Sequence, residues 1–216
     1  LQAAIAEFPV YSNAKGTYLF LMNLIDIELA YKGCISDFFS LFVHGGLKFM
    51  LTDQTFRARY SGGFFDGTNQ MLDSYAHSKL KGTGAGPRMG FGSEWKLPKD
   101  FSLLAAMAGA FLLNSSEAKR KDQSIGTISG VPQTIFPVLH MHAWVVCPLF
   151  EGKAGLGWQH CFGATQLDLL LAYEFNHYWA VNMLPRYADS AIFYMPYTGK
   201  GNLTVQGASF TISVGY

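Results

Sequence analysis

The chain has 216 residues, of which 50% are hydrophobic, 15% are aromatic and only 14% are charged, and its net charge is +1. The balanced charge gives no indication of nucleic-acid binding, and the charged fraction is low for a soluble domain, where about a quarter of residues are charged. No apolar run reaches the roughly 20 residues of a transmembrane helix, so the composition indicates a large soluble core or a membrane β-barrel, because lipid accepts only helices and closed barrels.

The N-terminal stretch LQAAIAEFPV shows no signal-peptide pattern. Because an exported barrel requires a signal peptide, we expect that it has been removed or that the chain is a fragment. The first predicted strand covers 17–31. Its second half, LIDIELAY, places Asp26 and Glu28 on the face opposite Ile25 and Ile27.

The second and third predicted strands, 38–58 and 80–95, alternate in the same way. In the second, odd-numbered residues from Leu41 to Leu51 form an apolar face, and His44 and Lys48 lie on the polar face. In the third, glycines share the even-numbered face with Arg88 and Glu94. Glycines stacked on one face leave room for facing side chains and permit the coiling that a barrel requires.

The fourth predicted strand, 101–114, is apolar on both faces, as is TYLFLMNL in the first strand. Alternation alone does not explain these two segments, and the fourth could also be a buried helix. The basic cluster Lys119–Lys121 that follows lies in NSSEAKRKDQS, which we interpret as a solvated loop rather than a binding patch.

The last three predicted strands cover 141–161, 166–180 and 203–216. The polar face of 141–161 carries Glu151 and Lys153, and the polar face of 166–180 carries Asp168 and Glu174. On this second strand the opposite face is a stripe of leucines. Carboxylates opposite such a stripe are unfavourable in the core of a soluble protein but suitable for lining a water-filled lumen. The final strand alternates up to the aromatic Tyr216, as the last strand of an outer-membrane barrel does.

The connections between these strands are alternately short and long, which is typical of an outer-membrane barrel with short periplasmic turns and long external loops. We predict an all-β, antiparallel, up-and-down transmembrane barrel in which 1–216 form one domain. The external loops are expected at about 61–79, 115–139 and 182–201. Seven strands is an odd number, so the chain is expected to be the C-terminal part of a larger barrel, with at least one N-terminal strand missing or formed by LQAAIAEFPV. Aromatic residues near the short turns fit an interfacial girdle: Tyr31, Trp95, Trp158 and Tyr216.

The polar faces define a set of candidate pore-lining residues. In a pore they would set polarity and ion preference; alternatively, they are paired interior charges that hold the shape of a filled barrel. The candidates are Asp26, Glu28, His44, Lys48, Arg88, Glu94, Glu151, Lys153, Asp168 and Glu174.

Two further groups of residues carry weaker signals. Cys34 and Cys161 lie in or beside predicted periplasmic turns, where thiols are oxidised; an internal disulfide, a cross-link to another chain and free thiols all remain open. His140 and His142 point to one side of a strand but have no obvious further metal ligand. We predict no metal, no cofactor and no catalytic residues.

Four segments together cover most of the chain and have a characteristic order and spacing. They are NLIDIELAYKGCISDFFSLFVHGGLKF, GTGAGPRMGFGSEWKLPKDFSLLAAMAGAFLL, PLFEGKAGLGWQHCFGATQLDLLLAYEFNHYW and GNLTVQGASFTISVGY. In these segments the chain resembles the Legionella-type major outer membrane protein family, a family of pore-forming barrels also found in chlamydia-like bacteria. The Gly-Pro-Arg-x-Gly strand over Gly86–Gly90 carries the resemblance most strongly, while Gln159 after Trp158 and the final Tyr216 depart from the expected pattern.

The resemblance implies a porin of the bacterial outer membrane that passes small hydrophilic solutes by diffusion, surrounded by outer-membrane lipid. The alternative is a closed structural barrel whose long loops act as a surface adhesin or bind host proteins. A homo-oligomer, with or without disulfide links, is compatible with either function.

Overall fold

The computed structural model of the chain describes residues 13–65, 69–128, 131–135, 138–163, 165–182, 185–187, 196–198 and 201–215. Almost all of these residues are in strands. In chain order the strands are β1 Asn13–Ser36, β2 Phe39–Phe65, β3 Asn69–Lys96, β4 Phe101–Ile128, β5 Val131–Ile135, β6 Val138–Phe162, β7 Thr165–Asn182, β8 Pro185–Tyr187, β9 Pro196–Thr198 and β10 Gly201–Gly215. Within the described ranges, no helix has the length and apolar character needed to cross a membrane.

The seven long strands form one antiparallel, up-and-down sheet. Each pairs with the next along the chain, in the order β1-β2-β3-β4-β6-β7-β10, and β5 adds to β4. The short β8 and β9 pair separately. This confirms the predicted all-β meander, including β4, whose apolar faces were also compatible with a helix. In the part of the chain that is described, β1 and β10 are the edges of the sheet and each pairs with a single neighbour.

The sheet curls into half of a barrel. Lys48 on β2 contacts Glu151 on β6, with Nζ and Oε1 2.7 Å apart, although β3 and β4 lie between these strands. In a flat sheet, strands three places apart are separated by roughly 14 Å. The ion pair therefore requires strong curvature, and its residues lie on the concave face.

The two faces have the inside-out character that the alternation predicts. Phe91 and Ile212 point away from the concave face and are 56% and 60% exposed. Lys48 points inward and is almost fully buried. From Leu41 to Leu51 the outward side chains of β2 are apolar or glycine, a length that matches the roughly 9–11 residues of a transmembrane strand.

The glycines of β3 lie on the concave face, as predicted, and two of them allow side chains of β2 to lie flat against the sheet. A Cβ at Gly90 would collide with the His44 ring, and a Cβ at Gly92 would collide with the Phe42 ring. Both rings therefore occupy space that only glycine leaves open.

The strands extend beyond the predicted boundaries at the long-hairpin end. β2 continues to Phe65, β3 already begins at Asn69, and β4 continues to Ile128. Parts of the predicted loops 61–79 and 115–139 are therefore paired strand. Between 182 and 201 the described elements are β8 and β9. At the opposite end the connections are short, as between Ser36 and Phe39. The predicted aromatic end residue, Tyr216, lies outside the described residues.

Candidate functional site

The concave face of the curled sheet carries all ten candidate pore-lining residues. Ladder positions set this face: Asp26 lies opposite Lys48, Lys48 opposite Gly86, and Glu151 opposite Ala108. Concave positions are therefore even-numbered in β1 to β4 and in β7, and odd-numbered in β6 and β10, since side chains alternate along a strand.

Six of the candidates meet in one network of charges. Lys48 lies between two carboxylates, 2.9 Å from Asp26 Oδ2 and 2.7 Å from Glu151 Oε1. The Arg88 guanidinium donates to the other oxygen of Glu151, from Nε at 2.7 Å and from Nη2 at 2.6 Å. Its Nη1 also donates to Glu28. The network thus connects four strands through two cations, each shared by two carboxylates.

His44 is the sixth member of this network. Its Nδ1 is 2.8 Å from Glu28 Oε2 and 3.0 Å from Arg88 Nη1. The ring is held over Gly90, where a Cβ would prevent this position. Glu28 of β1 and Arg88 and Gly90 of β3 therefore fix the position of the His44 ring on the concave face.

The other four candidates form smaller groups on the same face. Lys153 pairs with Glu174 at 2.8 Å, and the Ser209 hydroxyl donates to Glu174 at 2.8 Å. Asp168 accepts from the Gln166 amide at 3.0 Å, and Glu94 pairs with Lys32. A groove of about 540 Å³ opens over the central network and over Lys153 and Glu174.

An apolar layer lies on the concave face, farther along the strands toward the long-hairpin end. Its buried members come from β2, β4, β6 and β7, and side chains of β1 and β10 pack against them. The buried residues are Met50, Ala110, Leu112, Cys147, Leu149, Tyr178 and Val181. The inward residues of the two doubly apolar segments contribute to this layer, with Phe20 and Met22 from one and Ala110 and Leu112 from the other, which explains why those segments lack alternation.

A backbone irregularity in β7 helps to close this layer. Ala180 has a positive φ of 57°, a conformation that is unfavourable for residues with a Cβ. Beyond it, the Val181 side chain is buried in the apolar layer. The Val181 carbonyl accepts from the Gln54 amide of β2 at 3.1 Å, so β7 and β2 are joined directly across the concave face.

Sequence reasoning missed several residues of this face. Lys32 has the same parity as Asp26 and Glu28 and could have been found from that alone. Gln54 and Tyr178 are almost completely buried, but nothing in the alternation indicates that strands far apart in the sheet meet there.

The cysteines form no disulfide in the described residues. Cys34 and Cys161 are exposed thiols, and Cys147 is a buried thiol that donates to the Ala180 carbonyl at 3.5 Å. The internal bond considered between Cys34 and Cys161 is therefore wrong for this structure, because β1 and β6 are separated by three strands of the sheet. A cross-link between chains stays a prediction.

The predicted solvated loop NSSEAKRKDQS is wrong as well, since it forms part of β4. Arg120 points inward and pairs with Asp122 at 2.9 Å, while Lys119 is exposed on the convex face. On that face His140 pairs with Glu117 at 2.8 Å, and His142 contacts the Ser115 hydroxyl at 3.0 Å. Among the described residues, no three or more His, Cys, Asp or Glu side chains are grouped to hold a metal ion.

A comparison with models of known protein families gives a match over nearly the whole chain. The family model described as "Legionella pneumophila major outer membrane protein precursor" matches residues 1–215. No curated protein and no solved structure matches the chain.

Proposed function

The chain belongs to the family of the Legionella pneumophila major outer membrane protein and is located in the bacterial outer membrane, and we propose that it acts there as a porin for small hydrophilic solutes. The observation that carries this proposal is the contrast between the two faces. The convex face presents exposed apolar side chains such as Phe91 and Ile212, and the concave face carries charges around a groove.

The chemistry of the groove favours water over lipid as its content. Asp26, Glu28 and Glu174 keep partly exposed side chains beside their ion-pair partners, and exposed carboxylates are stable only where water reaches them. Charged groups that face a wet lumen attract counter-ions and repel ions of like charge. This arrangement supports diffusion of ions and small polar molecules along the concave face.

In the proposed porin, at least one additional strand closes the sheet into a barrel. Among the described residues, β1 and β10 are the edges of the sheet. Backbone groups along these edges need hydrogen-bond partners, because lipid cannot supply them. We place at least one additional strand beside these edges, in keeping with the even strand numbers of bacterial barrels. The described strands then form part of a larger barrel.

The second candidate function is a closed barrel that acts through its long loops as a surface adhesin. The buried apolar layer around Leu112 and Tyr178 favours it, because small barrels filled by side chains do not conduct. In the porin the additional strands leave an open path beside this layer. In the adhesin they close over it.

Conductance in a planar bilayer distinguishes the two functions. The full-length protein is expected to produce discrete single-channel steps. A Glu174→Lys variant is expected to move the reversal potential in a salt gradient toward anions, whereas Glu117→Lys on the convex face serves as a control with the same change of charge. Absence of steps from folded protein would favour the adhesin, and equal shifts by both variants would contradict a path along the concave face.

A further inference from the structure

A group of basic residues lies on the convex face beyond the apolar residues, toward the long hairpins. We call it the outer basic patch. Its members are on the outward positions of β2, β3 and β4, and all are exposed. They are Arg57, His77, Lys79, Lys81, Lys119 and Lys121.

The register of the sheet brings two like charges directly opposite each other in this patch. Lys79 faces Lys119 across the β3–β4 ladder. Beside this pair, the His77 ring lies between Arg57 on one side and Lys121 on the other. Like charges at directly opposed positions destabilise an antiparallel pair, so the Lys79–Lys119 pair carries a repulsion that an anion would relieve.

Acidic residues only partly compensate the patch. Asp53 is 3.5 Å from Lys79, and Glu117 is 2.9 Å from Lys119. The register also places Lys81 directly opposite both of these acids. In the described part of the chain Arg57 and Lys121 form no ion pair, and the five Arg and Lys side chains of the patch outnumber the two acids. The pKa of His77 is lowered by partial burial and by the charges of Arg57, Lys121 and Lys79, which is a second sign of positive potential at this place.

The patch begins where the lipid-facing surface ends. On β2, the last outward apolar residue before the patch is Leu51, and on β4 it is Leu113; both are exposed. The patch begins within a few residues of them on the same face. The long hairpins of outer-membrane barrels are external, so this level corresponds to the head groups of the outer leaflet. Lipid head groups place phosphates at such a boundary, and basic clusters beside a membrane bind them.

We propose that the outer basic patch is a binding site for a phosphorylated lipid of the outer leaflet. The phosphates lie between Lys79, Lys119 and the neighbouring bases, and the acyl chains lie along the apolar surface at Leu51 and Leu113. The site is separate from the concave face, so it does not depend on whether the protein conducts.

The test measures lipid binding by the full chain folded in detergent micelles. The probe is lipid A that carries two phosphates, compared with the same lipid after removal of its phosphates. We expect the dephosphorylated lipid to bind at least about tenfold more weakly, and added salt to weaken binding of the intact lipid. A fourfold variant removes four lysine charges of the patch together. We expect it to bind the intact lipid at least about tenfold more weakly than the wild type does. Its substitutions are Lys79→Gln, Lys81→Gln, Lys119→Gln and Lys121→Gln.

Two controls keep this result specific. Lys96→Gln with Lys99→Gln removes charge at the opposite end of the sheet and is expected to leave binding unchanged. Lys119→Gln alone, in which the rest of the patch is intact, is expected to bind between the wild type and the fourfold variant. The proposal would be overturned if both lipids bound equally well, or if the fourfold variant bound the intact lipid as tightly as the wild type does. It would also be overturned if a soluble acidic polysaccharide displaced the lipid at a similar concentration.

Discussion

Neutralising one carboxylate, Glu151, tests whether the central charge network stabilises the curl of the sheet. Glu151 contacts both Lys48 and Arg88 within 2.7 Å, and the Lys48 side chain is only 2% exposed. Breaking a buried ion pair by removing one partner costs about 3–5 kcal/mol. Since Lys48 keeps Asp26 and Arg88 keeps Glu28, we expect Glu151→Gln to lower the free energy of unfolding by about 3 kcal/mol, at the bottom of that range.

The assay is urea unfolding of the protein in lipid vesicles, followed by tryptophan fluorescence. Glu174→Gln is the matched control, because its pair with Lys153 is about one-third exposed on both sides and exposed pairs contribute about 1 kcal/mol or less. A loss of stability at Glu151 no larger than the loss at Glu174 would mean that the backbone ladder alone sets the curvature and that the charge network does not stabilise it.

Three further predictions follow from particular residues. Ala180→Gly should raise the free energy of unfolding by about 1 kcal/mol in the same urea assay, because Ala180 has a left-handed backbone, and a loss of stability would contradict this. Full-length protein should show a weak preference for cations in a salt gradient, and this preference should diminish at high salt. The reason is that acids outnumber bases on the concave face even after Lys32 is included. A clear preference for anions would contradict this expectation. The pKa of Glu117 is lowered to about 2 by a hydrogen bond from Lys119 and then by one from His140. These contacts of Glu117 therefore contribute stability above its unfolded pKa of 4.5, and the contribution is lost as the pH falls toward 2. Lys119→Met should raise the pKa of Glu117, as measured by carboxyl NMR, and an unchanged value would exclude Lys119 as the cause.

The fold was predictable from the sequence because a lipid-facing surface imposes a strict period of two. Each strand must present apolar side chains on one face, so Phe91 and Leu171 could be assigned to the outside from alternation alone. The same rule placed the charged residues on the concave face. It also explains why β10 could be recognised from its alternation.

The strand ends could not be predicted in the same way. Beyond the membrane the convex face of a hairpin no longer needs to be apolar, and on β4 it carries charged residues such as Glu117 and Lys119. Paired strands such as 115–128 of β4 therefore have the polar composition of a loop. Alternation is then lost although the ladder continues, as the opposed positions of Lys79 and Lys119 show.

Contacts across the concave face were also beyond the reach of the sequence. Lys48 and Glu151 are far apart along the chain and meet only because the sheet curls. The apolar layer depends on the same curvature and on the irregular backbone at Ala180. A periodic pattern gives the face on which a residue lies but not its partner on a distant strand.

The proposed porin requires that lipid covers the convex face and that water reaches the concave face. The decisive measurement uses single cysteines in β7, in a chain whose native cysteines are replaced by alanine and which is folded into lipid vesicles. A charged, membrane-impermeant maleimide is expected to label cysteines at Asp168 and Glu174 and to leave those at Leu169 and Leu171 unlabelled. Labelling of the leucine positions in preference to the carboxylate positions, or equal labelling of all four, would contradict the account.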